Sequence, residues 1–93
     1  MRTYSKKYST SDEATFSDGG NVTMVVVTGD GTNNGLVTFK DASGGNTLFT
    51  VRCTAHETVV LRFGPDNPFP CDSDEDFFVD VGDVDGVLVL YEA

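Results

Sequence analysis

Apolar residues recur along the chain in short runs that alternate with polar ones, and Gly, Asn, Asp and Pro break the runs apart. A period of two places successive side chains on opposite faces of a strand, so these runs predict β-structure. Val22 to Thr28 is continuous in Val, which suits a strand buried on one face and partly covered on the other. Gly29 to Gly35 ends it in a loop, with Asn34-Gly35 suited to positive φ, and Leu36 to Asp41 forms the next strand. A turn from Asp41 to Asn46 leads into Thr47 to Thr54, where Phe49, Val51 and Cys53 point one way and Thr50, Arg52 and Thr54 the other. Beyond a turn at Ala55 to Glu57, Val59, Leu61 and Phe63 repeat that alternation, with Arg62 toward solvent. Gly64 to Pro70 holds all three prolines and reads as a long connection between two sheets. Phe77, Val79 and Val81 form the next inward set, with Asp80 outward. The last run, Val84 to Tyr91, sets Val87, Val89 and Tyr91 on one face and Leu88 and Leu90 on the other. A strand apolar on both faces is either central in its sheet or part of an interface. Six strands, with a seventh within Thr3 to Phe16, predict an all-β protein: a two-sheet antiparallel Greek-key sandwich, Ig-like or jelly-roll-like, of six to eight short strands with an extended N-terminal arm.

Composition agrees. Val, Thr, Phe and Tyr supply 34 of 93 residues, against 21 for the common helix formers Ala, Leu, Glu, Lys, Arg and Met, and Gln is absent. The length fits one domain with a modest core, for which a partner would add stability. No apolar run approaches the roughly 18 residues of a membrane-spanning helix. Nor does the start, MRTYSKKYSTSDE, have the apolar stretch of an export signal, so a soluble protein made in the cytoplasm is expected.

Charge changes the picture by its placement. Fifteen acids against six bases give −9, but residues 1 to 7 carry Arg2, Lys6 and Lys7 without an acid, leaving −12 on the rest. From Gly64 to Ala93 there are nine acids and no base. This divides the chain into a basic arm, 1–12, and an acidic sandwich, 13–93. An acidic body lacks the cationic face that nucleic-acid binding needs.

Candidate chemistry is sparse. Cys53 and Cys71 read as free thiols, and His56, three residues after Cys53, as a surface turn residue with no third group to orient a nucleophilic pair. Cys53, His56 and Cys71 fall short of the four closely spaced ligands of structural zinc. Asp72, Asp74 and Asp76 match the first places of a calcium loop, but Phe77 stands where that loop needs Gly, and a solvated acidic loop is expected. There is no GxGxxG, P-loop or GxSxG, and Gly29-Asp30-Gly31 reads as a hairpin loop with no helix after it. Neither catalysis nor a cofactor or metal is expected.

The order of segments, VTMVVVTGDGTNNGLVTFKDASGGNTLF followed by a short strand and then DFFVDVGDVDGVLVLYEA, resembles a family of small β-sandwich virion proteins of tailed bacteriophages. The likeness spans about residues 20 to 91 and includes the final hydrophobic strand Val87-Leu88-Val89-Leu90-Tyr91. It implies a decoration, or cement, protein that docks on the outer capsid surface of a virion. Its partners would be the major capsid protein and copies of itself, as a dimer or trimer, with no nucleic acid or membrane. Arg2, Tyr4, Lys6, Lys7 and Tyr8 of the arm, with Leu88 and Leu90, are the expected partner-binding residues. A tail, vertex or other minor virion component, a carbohydrate-binding module, and an acidic inhibitor that mimics DNA are the alternative readings.

Overall fold

The structure, a computed structural model, describes residues 3–14, 21–42, 44–70 and 77–92. Eight strands lie among them: β1 (Thr3–Tyr8), β2 (Asp12–Ala14), β3 (Asn21–Gly29), β4 (Gly35–Lys40), β5 (Thr47–Cys53), β6 (Thr58–Arg62), β7 (Phe77–Gly82) and β8 (Val84–Glu92). They form two antiparallel four-stranded sheets, β1-β8-β3-β6 (the front sheet) and β2-β7-β4-β5 (the back sheet). This strand order is that of a jelly roll, two Greek keys wrapped into a double sheet. The all-β sandwich is therefore as expected, and the connectivity selects the jelly-roll form. Beneath it lies a nested pairing, first strand with last, second with seventh, third with sixth and fourth with fifth.

The core is the set of inward side chains from both sheets. Val25, Val27, Val87 and Val89 of the front sheet and Val37, Phe39 and Val79 of the back sheet are fully buried. Each contributes about 1.5–3 kcal/mol by leaving water. Three bulges set which residues point in, one of them at Asp85, where the register with β3 slips so that Val84 and Val87 both face the core. At Thr23 the register with β8 slips by one, so Val22 and Val25 both face the core despite their odd spacing. At Leu48 the register with β4 slips likewise, and Leu48 and Phe49 both pack against the core.

The proline-rich connection is anchored. Phe69 is buried and meets Phe63 and Phe77 at ring-centroid distances of 5.1 and 4.9 Å, and Phe39 and Phe49 stack at 4.5 Å. The five rings close one end of the sandwich, as edge and offset contacts between aromatics allow. The segment crosses from β6 in the front sheet to β7 in the back sheet, as expected.

Other connections differ from the sequence reading. Among the described residues, only β4 and β5 form a hairpin of sequence neighbours. There Asp41 accepts the Asn46 N–H at 2.8 Å through Oδ1. The loop after β3, expected as a hairpin, instead crosses between sheets. Asp30 nucleates it by accepting the Thr32 and Asn33 amides at 2.8 and 2.7 Å, which lowers its carboxyl pKa. Positive φ is at Gly31 (84°) and not at Asn34-Gly35. Gly35 is required for space, since a Cβ there would strike the Val84 side chain and, at 2.6 Å, the Asp83 carbonyl. Asp83 itself turns the β7–β8 corner at φ 57°.

The N-terminal segment is extended, as expected, but it belongs to the sandwich. All six residues of β1 pair with β8, from Thr3 opposite Glu92 to Tyr8 opposite Val87, and the expected boundary at residue 12 falls within β2. β8 is thus central, flanked by β1 and β3.

Candidate functional site

The front sheet has an outer face that its register assembles row by row. Lys7, Leu88, Val26 and Val60 lie side by side across the four strands, and Ser5, Leu90, Met24 and Arg62 form the next row. Neighbouring strands are about 4.8 Å apart, so the two rows bring five apolar side chains together over about 15 Å. Val60 is 46 % exposed, and Leu88, Leu90, Met24 and Val26 are half-buried. The patch ends at exposed Thr28 and Thr58.

Its rim is charged. The Lys7 stem lies over Gly86, where a Cβ would collide with it, and Lys7 Nζ reaches Asp85 at 3.7 Å. Both partners are about 60 % exposed, so the pair orients Lys7 more than it stabilises the fold.

The expected partner-binding residues divide. Lys7, Leu88 and Leu90 come together on the outer face. Tyr4 and Lys6 lie on the opposite side of β1 at the open edge of the sandwich, Tyr4 stacked on Tyr91 at 5.5 Å and Lys6 Nζ 5.3 Å from the Tyr8 ring centroid. Tyr8 is a correction: it is 3 % exposed and packs in the core, so it cannot touch a partner. Removing residues 1–10 would therefore strip an edge strand and a core side chain, and would not simply detach an arm. Arg2 lies outside the described residues.

Sequence reasoning missed Met24, Val26 and Val60. The signal was present in Val25-Val26-Val27 and Val59-Val60-Leu61, which are apolar in both parities and sit beside the equally two-faced β8.

The candidate chemical residues have ordinary settings. Cys53 is a buried free thiol, with Sγ 3.2 Å from the Glu57 carbonyl oxygen and 3.8 Å from that of Val27. Burial first, and the Glu57 charge second, push the thiol pKa up, opposite to the shift that activates a nucleophile. His56 is exposed in the β5–β6 turn, as expected. Among the described residues no cluster of His, Cys, Asp or Glu could hold a metal, and Cys71 and the Asp72–Asp76 loop lie outside them.

No family model, curated protein or solved structure matches this chain.

Proposed function

We propose that the protein is a structural virion component of the decoration type, which docks on a bacteriophage capsid shell through the outer face of its front sheet. The observation that carries this reading is the solvent-facing cluster of Leu88, Leu90, Met24, Val26 and Val60 on a sheet whose other side already holds the core. A β-sheet facing water normally alternates apolar with polar, and a clustered apolar outer face marks a surface that is covered in use. The jelly roll serves viral capsid and lectin domains alike, so the fold by analogy admits the role without choosing it. The likeness of residues 20 to 91 to small phage virion proteins supplies the partner, the major capsid protein.

The patch is small beside the roughly 800 Å² per partner of a stable complex, so Lys7 and Ser5 at its edge join the contact. A surface of high acidic charge keeps free copies apart until they dock.

The test is the occupancy of virions of the phage that encodes the chain, measured by quantitative mass spectrometry. Wild type should be present in large copy number, and the double variant Leu88→Asp with Val60→Asp should lose at least about tenfold of it, since two charges cannot be desolvated in an apolar contact without several kcal/mol of cost. Undiminished occupancy of a folded double variant would refute the docking face, and a few copies per particle would assign a vertex or tail role instead.

A further inference from the structure

The front and back sheets end on the same side of the sandwich in β6 and β5, each paired along one edge only among the described residues. Between these two edges runs a cleft of about 400 Å³. Its floor is apolar, made by the inward side chains Phe49, Val51, Val59, Leu61 and Phe63 where the sandwich is open. Arg52 and Arg62, both exposed, line it from β5 and β6.

These arginines stand apart from the three lysines. Lys7 and Lys40 are each within 4 Å of an aspartate, and Lys6 lies over the Tyr8 ring. Neither Arg52 nor Arg62 has a carboxylate within ion-pair distance among the described residues, on a chain whose acids outnumber its bases fifteen to six. Guanidinium groups with no ion-pair partner among the described residues, set at an apolar cleft, fit an anion that carries apolar bulk, and their planar donor sets hold carboxylates in two-pronged fashion.

The geometry points to a second binding site, which adjoins the outer face of the front sheet at Arg62: the β5–β6 cleft takes an extended peptide segment of a partner in which carboxylate and apolar side chains alternate. Three features agree on this class of ligand. A peptide strand supplies the backbone donors and acceptors that the outer edges of β5 and β6 leave without a strand partner. An alternating strand sends its apolar side chains to the floor and its carboxylates outward to the two arginines. The cleft follows the strands, and β6 with its five residues gives it a length of about 16 Å, enough for five or six extended residues. A nucleic acid has no backbone to pair with a sheet edge, and the chain's overall negative charge repels it.

The experiment is an NMR titration of the full chain with a six-residue peptide of alternating aspartate and valine. Saturable amide shifts confined to residues 49–52 and 59–63 are expected. Affinity should fall about tenfold in Arg52→Gln with Arg62→Gln, and by a similar factor when asparagine replaces aspartate in the peptide. Leu88→Asp, on β8 and outside the cleft lining, should bind the peptide as wild type does, so this site and the docking face fail or stand separately. No saturable shift at millimolar peptide, equal affinity for the aspartate and asparagine peptides, or shifts centred on β8 would overturn the proposal.

Discussion

The two outer faces of this sandwich are built from strands of similar length and differ in what they show to water. On the front sheet, neighbouring rows are Lys7-Leu88-Val26-Val60 and Ser5-Leu90-Met24-Arg62. On the back sheet, the equivalent rows of β7, β4 and β5 are Asp80-Thr38-Thr50 and Gly82-Leu36-Arg52, with Lys40 beside Phe78. Leu36, 41 % exposed, is surrounded there by polar neighbours. Ser11 Oγ donates to Asp80 Oδ1 at 3.0 Å and accepts the Val81 N–H at 2.8 Å, so hydrogen bonds tie the edge of that sheet. The back face keeps its two apolar residues, Leu36 and half-buried Phe78, in separate rows with Asp80 and Thr38 between them, whereas the front face gathers its apolar residues into one patch. The lesson is that clustering, and not the number of exposed apolar residues, separates the two faces.

The largest expected effect sharpens the distinction between inner and outer on one strand. Val89→Asp places a carboxylate at a fully buried position and should cost more than about 3 kcal/mol, enough to unfold much of the population. Leu88→Asp, one residue away on the outer face, should cost less than about 1 kcal/mol. Circular dichroism of thermal unfolding distinguishes them, and a Leu88→Asp variant as damaged as Val89→Asp would show that the front face is core.

An intermediate effect concerns the interior that both faces enclose. The folded pKa of Cys53 is raised above its ordinary 9.0, so the folded state holds that proton more tightly than the unfolded chain does. The resulting stability is fully present below pH 9.0 and is lost as pH rises through the folded value. The melting temperature should therefore fall more steeply above pH 9 in wild type than in Cys53→Ala, measured by calorimetry across that range. Parallel curves would contradict it.

The smallest effect compares the ion pairs of the two faces. Lys40 and Asp80, 3.6 Å apart on the back sheet, have side chains 25 % and 46 % exposed, against 61 % and 62 % for Lys7 and Asp85. Lys40→Ala should cost a few tenths of a kcal/mol, and Lys7→Ala close to nothing, in urea unfolding at low salt. Added salt should erase the difference.

Much of the architecture was legible because alternation is a local signal. Phe49, Val51 and Cys53 face inward and Thr50 and Arg52 outward, as their spacing required. Bulges and corners were not legible. The extra residue at Thr23 carries no distinctive side chain, and nothing in Gly29 to Gly35 separates a hairpin from a crossing between sheets, because both need the same turn residues. Arm and strand were likewise indistinguishable in Thr3–Tyr8, a polar edge strand whose partner β8 is distant in sequence. The apolar patch was half legible for the same reason: Leu88 and Leu90 declare themselves on their own strand, while Met24, Val26 and Val60 join them only through pairing.

The nested pairing of strands also has a consequence in time. β4 and β5 are joined by a six-residue turn, while β1 must find β8 across almost the whole chain. The entropic cost of closing a loop grows with its length, so the β4–β5 hairpin is the natural nucleus, and closure proceeds outward from it as a ribbon zips from its bend. Folding on the slow, millisecond-to-second scale of non-local β topologies follows. The β1–β8 pair closes last and opens first, so the front sheet gains its N-terminal edge, and with it Lys7 beside the apolar patch, only when the rest of the sandwich is complete.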